Sequence, residues 1–423
     1  MWPSLFLFFL FGSASVLLAQ TLEEVLKTAS ASPRPGFDLS LDPTTPPSQD
    51  PIPESGITGE WRGCRTRLDE LGITPFAVFS AELFYNLNGG LRSGSNDLSL
   101  LDFGLEIDLG RLWGWTGSGF TISALYAIGQ DGSERLHGDF GGASNLYAGT
   151  SVNLFNVYFS QTWAEESLSL KVGQIAVDDD FMGSDPAGLF LNSSFGALPT
   201  LSANGAAPIF PLASPGAFLR CEPTESFGIQ LALFSGQPGE ATPGNHGLEW
   251  RTGGHAGWLT FLEADYSYGP GTLKIGGYHH TAAHFDPDSE RLRRSLSAAY
   301  FILDHHFTDP TSTAPGFSAF LRLSLAIPEE RAIVTRYLDA GFTLESILTD
   351  EDLLGIAVSH SIFGTHHRQV YPNRSSHETV MELTYQLPLH PFWLLQPNLQ
   401  YIFNAQEAQR DTLISGFRTT LAF

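Results

Sequence analysis

The chain has 423 residues, 42 % hydrophobic and only 16 % charged, with 43 Gly, 26 Pro, 32 Phe, 12 Tyr and 8 Trp beside 3 Met and 2 Cys. That balance suits a turn-rich, aromatic-rich β protein and argues against a helix bundle. The 22 basic against 45 acidic side chains, net −23, argue against nucleic acid as a partner, because phosphate contacts need clustered cations; the surplus suits a water-filled lumen that tolerates cations and neutral solutes.

Leu5 to Leu18 is almost wholly apolar and is followed by Ala19 and Gln20, which reads as a secretory signal peptide over residues 1–19. At about 14 residues the run is short for a membrane span, which needs about 20. Met1 to Ser4 carries no Lys or Arg, and no Cys follows the run, so lipoprotein processing is not indicated. Thr21 to Ala31 places Leu22, Val25, Leu26 and Ala29 on one helical face, and Pro recurs at 33, 35, 43, 46, 47, 51 and 53. Residues 20–55 therefore read as a short helix plus a Pro-rich periplasmic linker. After the leader no window approaches a transmembrane helix, so membrane insertion must be by strands.

From Ile73 on, apolar side chains fall on alternate positions. Ala77, Phe79, Ala81, Leu83, Tyr85 and Leu87 form the first such set, and Leu101 to Gly110 alternates large apolar with acidic or Gly residues without a miss. Phe120, Ile122, Ala124 and Tyr126 follow, then Phe227 to Leu233, Phe317 to Leu325, Leu354 to Ile362, Met381 to Leu387 and Trp393 to Phe403. Such strands have one oily and one wet face, and about sixteen of them, an even number, predict an all-β transmembrane antiparallel β-barrel of the outer-membrane porin type over residues 56–423. Connections alternate in length. Ala164 to Ser167, Glu222 to Ser226 and Ser267 to Thr272 are short, whereas Gln130 to Ser151, Asp178 to Pro215 and Gln237 to Gly254 are long. Short turns belong to the periplasmic side and long loops outside. The last strand alternates Leu413, Ser415, Phe417, Thr419, Leu421 and Phe423, and a terminal aromatic in that position is the type of signal that outer-membrane assembly machinery reads. Cys64 and Cys221 lie in no metal-ligand spacing, and free thiols are expected.

The segment Gly59-Glu60-Trp61-Arg62-Gly63-Cys64-Arg65-Thr66-Arg67-Leu68, followed by Gly72-Ile73, resembles the opening motif of the OprB-type carbohydrate-selective porins. Further blocks match in order: Val172-Gly173-Gln174 leading into Asp178-Asp179-Asp180-Phe181, Leu191 to Gly196, Pro211 to Gly216, Gly276 to Thr281, Leu383 to Tyr385, Leu395 to Tyr401 and Gly416 to Thr420. The resemblance covers residues 56–423. It implies a sixteen-stranded barrel in the outer membrane of a Gram-negative-type (diderm) bacterium, in contact with outer-membrane lipid, that lets small carbohydrates diffuse passively. The neutral start of the leader, Cys64 inside the motif and the acidic balance depart from the family pattern and bear on fine selectivity.

Asp178 to Pro215 is the expected constriction. Leu189, Phe190, Leu191, Phe195, Leu198, Leu201, Ile209 and Phe210 make it too apolar for a free loop in water, so it should fold into the lumen and turn Asp178, Asp179, Asp180, Asn192 and Ser193 to the channel. The rival expectation is a loop packed over the outer rim. Alternation points Glu82, Asp102, Glu106, Asp108, Lys171, Arg220, Arg322, Glu382 and Arg418 to the lumen, where mixed charges offer a polar sugar donors and acceptors. Lumen aromatics Phe84, Phe218 and Phe234 either stack on sugar rings or pack beneath the loop. Arg65 and Arg67 precede the first strand and sit at the periplasmic mouth. His279, His280, His284, His305, His306, His366 and His367 show no HExxH spacing, and GxSxG, Walker and dinucleotide fingerprints are absent from the sequence. Adjacent side chains on a strand point oppositely, which argues against shared acid–base work by Asp178 to Asp180. No metal, cofactor or enzymatic activity is expected. The leading reading is a passive porin for mono- and small oligosaccharides, with a homotrimer left open; the alternatives are a plugged structural or adhesin barrel and a rim-located barrel enzyme.

Overall fold

A computed structural model of the chain describes residues 56–423, apart from 165, 206, 240–243, 287–290, 311–313 and 350 and the side chains of 283–286, 291–294 and 366. The expected leader and linker lie outside the described residues. Sixteen strands follow one another: β1 (Ile73–Gly89), β2 (Gly94–Asp108), β3 (Ser118–Gly129), β4 (Ser151–Trp163), β5 (Leu168–Ile175), β6 (Ser214–Thr224), β7 (Phe227–Ser235), β8 (Trp258–Ser267), β9 (Gly271–Asp286), β10 (Arg291–Thr308), β11 (Gly316–Ile327), β12 (Val334–Glu345), β13 (Leu353–Phe363), β14 (His377–His390), β15 (Trp393–Ala405) and β16 (Arg410–Ala422). Each pairs antiparallel with the next, and β1 pairs with β16 from Val78↔Ala422 to Gly89↔Thr412. The sheet is thus a closed barrel without a free edge, the form in which strands can satisfy their backbone groups in lipid.

Alternation decides the two faces. On β1, Leu83, Tyr85 and Leu87 are exposed outward, whereas Ser80, Glu82, Phe84 and Asn86 on the opposite face are buried. The outward set would be costly in water and is at ease against lipid tails. Trp61, Trp113, Trp115, Trp163 and Trp393, all exposed, gather at the end with the short turns, as an interfacial aromatic belt does. There the chain before β1 makes the helix Cys64–Glu70, and Ile57 N–H donates to Ala422 O at 3.0 Å, so this segment lies on the seam where the barrel closes. Cys64 is exposed on that helix, Cys221 is buried on β6, and both thiols are free.

One irregularity positions the site. β5 is only eight residues long, and after Ile175 the chain leaves the wall. β4 accordingly pairs with β5 only from Val157 to Trp163, and its outer half needs other partners for its backbone. Gln174 Nε2 donates to Leu154 O at 2.7 Å and to Phe155 O at 2.9 Å, and Leu154 N–H donates to His246 O, in the β7–β8 loop, at 3.0 Å. The long β7–β8 loop thus closes the gap that the departing β5–β6 segment opens.

Candidate functional site

The β5–β6 loop enters the barrel and crosses it. Phe181, Phe190, Leu191, Phe195, Leu198 and Leu201 are each no more than 2 % exposed, packed in two clusters against inward residues of β6–β16. Phe218 and Phe234 belong to this packing, with the Phe181 ring 5.7 Å from that of Phe218, and are not free to stack on a solute. A buried loop must also satisfy its backbone, and the wall supplies the partners. Gln230 donates to Asp180 O at 2.5 Å, Glu263 accepts from Met182 N–H at 3.0 Å, and Lys274 donates to Gly183 O at 3.0 Å. Glu382 accepts from Leu191 N–H at 2.7 Å and Asn192 N–H at 2.9 Å, and Asn192 Nδ2 donates to Gln400 at 2.9 Å. Arg322 donates to Phe195 O at 2.6 Å and Gly196 O at 3.0 Å while paired with Asp339 at 2.5 Å.

A second loop follows it inward. Residues 130–150, between β3 and β4, were expected only as a long external connection, yet Glu378 accepts from Phe140 N–H and Gly141 N–H at 2.9 Å each, and Gln400 donates to Ala143 O at 2.8 Å. Ser144 donates to Glu82, and Arg418 to Asn145. The two loops are stitched together by Asn145 N–H on Leu191 O at 2.8 Å and Ser193 N–H on Gly142 O at 2.9 Å. Leu136, Phe140, Leu146 and Tyr147 were the sequence signal for this insertion, by the argument already applied to the first loop.

Between the loops and the wall of β1–β3 and β14–β16 lies a cavity of about 850 Å³. Of the residues expected at the channel, Asp102, Asp178, Asp179, Ser193, Arg322 and Arg418 line it. Others are framework. Glu82 holds Arg418 at 2.5 Å, Asp180 holds Lys171 at 2.6 Å, and Asn192 and Glu382 anchor the loop. Arg220 is held by Asp265 at 2.7 Å and Glu222 at 2.9 Å. Asp108 differs from the expectation of a lumen charge: it ends β2 at the short-turn rim, where its side chain caps the helix Leu109–Trp113 through Gly110 N–H at 2.8 Å and Arg111 N–H at 3.0 Å. Glu106, two residues earlier on the same inward face, is part-buried and outside the cavity lining. Arg65 stacks on Trp61 at 5.1 Å and donates to Phe423 O at 2.5 Å, and Arg67 is exposed on the helix beside it. Both lie at the short-turn end.

The three adjacent aspartates find different neighbours because the loop bends away from strand geometry at Asp178. Asp178 accepts from Phe210 N–H at 3.3 Å, Asp179 from Asn156 Nδ2 at 2.9 Å, and Asp180 takes Lys171. Burial pushes Asp178 up to about 6, and burial together with the neighbouring carboxylates pushes Asp179 up to about 8. The cavity therefore holds hydrogen-bonding groups, an aliphatic wall of Val78, Leu98, Leu100 and Leu125, and carboxylates of differing acidity.

The model of the carbohydrate-selective porin, OprB family, matches residues 92–423. Among solved structures, the high-pH structure of Pseudomonas putida OprB aligns with TM-score 0.78 at 19 % identity, covering 87 % of this chain and 98 % of that one. The low-pH structure of the same porin aligns with TM-score 0.58 at 17 % identity and the same coverage. The outer membrane channel DcaP of Acinetobacter baumannii aligns with TM-score 0.51 at 9 % identity over 83 % of this chain and 97 % of that one. No curated protein matches. The protein is a passive diffusion channel of the outer membrane of a Gram-negative bacterium. A closed sixteen-stranded barrel narrowed by its own loops, matched along most of its length by the family model, belongs to the OprB family of carbohydrate-selective porins.

Proposed function

We propose that mono- and small oligosaccharides and solutes like them pass through the cavity down their concentration gradient, in a partly acidic lumen, with Asp102, Asp178, Asp179, Ser193 and Arg418 as contacts at the constriction. The observation that carries this reading is the composition of the cavity lining. Ser80, Asn96, Asp102, Gln396 and Thr420 offer donors and acceptors beside the aliphatic side chains of Val78, Leu98, Leu100 and Leu125. A pyranose has the matching two-sided character, a hydroxyl edge and a C–H face, and a cavity of this size accommodates a small ligand. In the same reading Arg65 and Arg67 belong to the periplasmic mouth.

The test is single-channel recording in a planar bilayer, with and without glucose or a maltooligosaccharide. Stepwise conductance that sugar reduces is expected. No conductance from a demonstrably folded barrel would sink the reading and favour a plugged barrel or a rim enzyme. Deleting Ala187 to Ala207 removes the part of the first loop that spans the lumen, and conductance should then rise. An unchanged conductance in a barrel that still folds moves the constriction elsewhere.

A further inference from the structure

The charges lining the cavity are unevenly matched, and the strand register explains why. Each arginine of the lining has a carboxylate partner: Arg418 with Glu82 at 2.5 Å, Arg322 with Asp339 at 2.5 Å and Arg374 with Glu407 at 3.2 Å. The first two pairs face each other directly across the β1–β16 and β11–β12 ladders. Among the described residues Asp102 has no such neighbour. Opposite it stand Val78 on β1 and Leu125 on β3, and none of the described residues hydrogen-bonds its Oδ1.

The loop carboxylates repeat the asymmetry once ionised, Asp178 above about pH 6 and Asp179 above about pH 8. Asp178 is held by a backbone N–H and Asp179 by an amide, and among the described residues neither forms an ion pair. Asp131 accepts from Ser133 N–H at 2.8 Å and Glu134 N–H at 3.1 Å. Asp139, 7 % exposed, lines the cavity; its Oδ2 accepts from Gly142 N–H at 2.9 Å, and among the described residues none hydrogen-bonds its Oδ1. Its neighbour His137, 1 % exposed, stands 3.7 Å away with neither ring nitrogen hydrogen-bonded. Burial holds His137 below its usual range, so it supplies no compensating charge at neutral pH.

Resting on the diffusion-channel reading above, we propose that this cavity is a cation-attracting filter in which Asp102 is the specificity-determining wall charge, so that amine-bearing sugars permeate faster than uronic acids. The physical reason is that the field of the unmatched carboxylates is focused by the aliphatic wall beside them. A protonated amine entering the narrow segment replaces lost hydration with attraction to Asp102. A uronate carboxylate meets repulsion there, since each arginine of the lining is already paired with a carboxylate.

The experiment compares uptake of labelled glucosamine, glucose and glucuronate into liposomes bearing the full barrel, with reversal potentials under a potassium chloride gradient recorded on the same preparation. Heat-modifiable gel mobility confirms that each variant is folded. At low salt, with a Debye length of about 30 Å, the glucosamine-to-glucuronate ratio should exceed about ten, and at about 1 M salt, with a Debye length of about 3 Å, it should fall toward unity. Asp102→Asn should lower the low-salt ratio by about threefold and shift the reversal potential away from cation preference. Glu70→Gln, on the exposed helix at the short-turn end, should do neither. A ratio at or below unity, an anion-preferring reversal potential, or an Asp102→Asn variant that behaves as the parent overturns the filter. Absence of glucose uptake beside a cation preference that Asp102→Asn abolishes would instead overturn the sugar reading and leave the filter standing.

Discussion

Asp178 and Asp179 follow each other in sequence, yet burial raises both above the ordinary carboxylate range, to about 6 and about 8. As pH rises through those values the pair loses its protons and the cavity gains negative charge. Cation preference, read from the reversal potential, should therefore increase between about pH 5 and about pH 9; a flat profile, or one that falls, would show that these carboxylates do not face the permeating ions. The same shift has a stability consequence of the opposite sign. The folded chain keeps protons that the unfolded chain has already released, so the pair's contribution to stability declines as pH rises from about 4 through about 8. None of this was legible in the sequence beyond the presence of three aspartates. Burial raises Asp178 and Asp179, and the hydrogen bonds from Phe210 and Asn156, which the chain brings to them from the far end of the loop and from another strand, offset part of that rise.

At the scale of elements, the two inserted loops and the external β7–β8 loop form one arrangement. The first loop leaves the wall, β4 loses its neighbour, and the β7–β8 loop takes the vacated backbone position. Gly247 permits that approach, with φ +71° and so little room that an added Cβ would lie 2.1 Å from Leu154 O. Gly247→Val should push the loop off β4 and expose the Leu154 backbone, seen as faster amide exchange at residues 152–155 and proteolytic cleavage within the loop. Protection equal to the parent would mean that the contact does not hold the loop. The apolar content of residues 178–215 foretold its burial, because a loop that carries so many aromatic and aliphatic side chains must cover them. The β3–β4 loop carried a weaker form of the same signal, interrupted by Gly138, Gly141, Gly142 and Gly149. Its partner Glu378 lies more than two hundred residues away.

For the whole molecule, closure is the decisive property. It depends on β1 meeting β16 in one register, with Ser80 opposite Thr420 and their hydroxyl oxygens 3.1 Å apart on the lumen side. A one-residue slip would turn one of the two toward lipid. The double variant Ser80→Cys, Thr420→Cys should therefore form a disulfide on oxidation, visible as a chain that keeps its compact gel mobility after boiling without reductant. Pairing Ser80→Cys with Leu421→Cys should form none. Efficient cross-linking of the second pair would refute the register.

The faces of the strands, their number and the alternation of short and long connections were set by the sequence alone, since side-chain direction along a strand follows from local backbone geometry with a period of two. The same rule turned Arg322, Glu382 and Arg418 inward. Only the tertiary structure decided what they do there. Arg322 is spent on Asp339 and two loop carbonyls, Glu382 on two loop N–H groups, and Arg418 on Glu82 from the opposite end of the chain. Asp102, inward by the same alternation, meets Val78 and Leu125 and stays unmatched. Whether an inward charge is neutralised by a partner or left unmatched before the permeating solute depends on which residue stands opposite in the ladder and which loop reaches it, and both are fixed by contacts between segments remote in sequence.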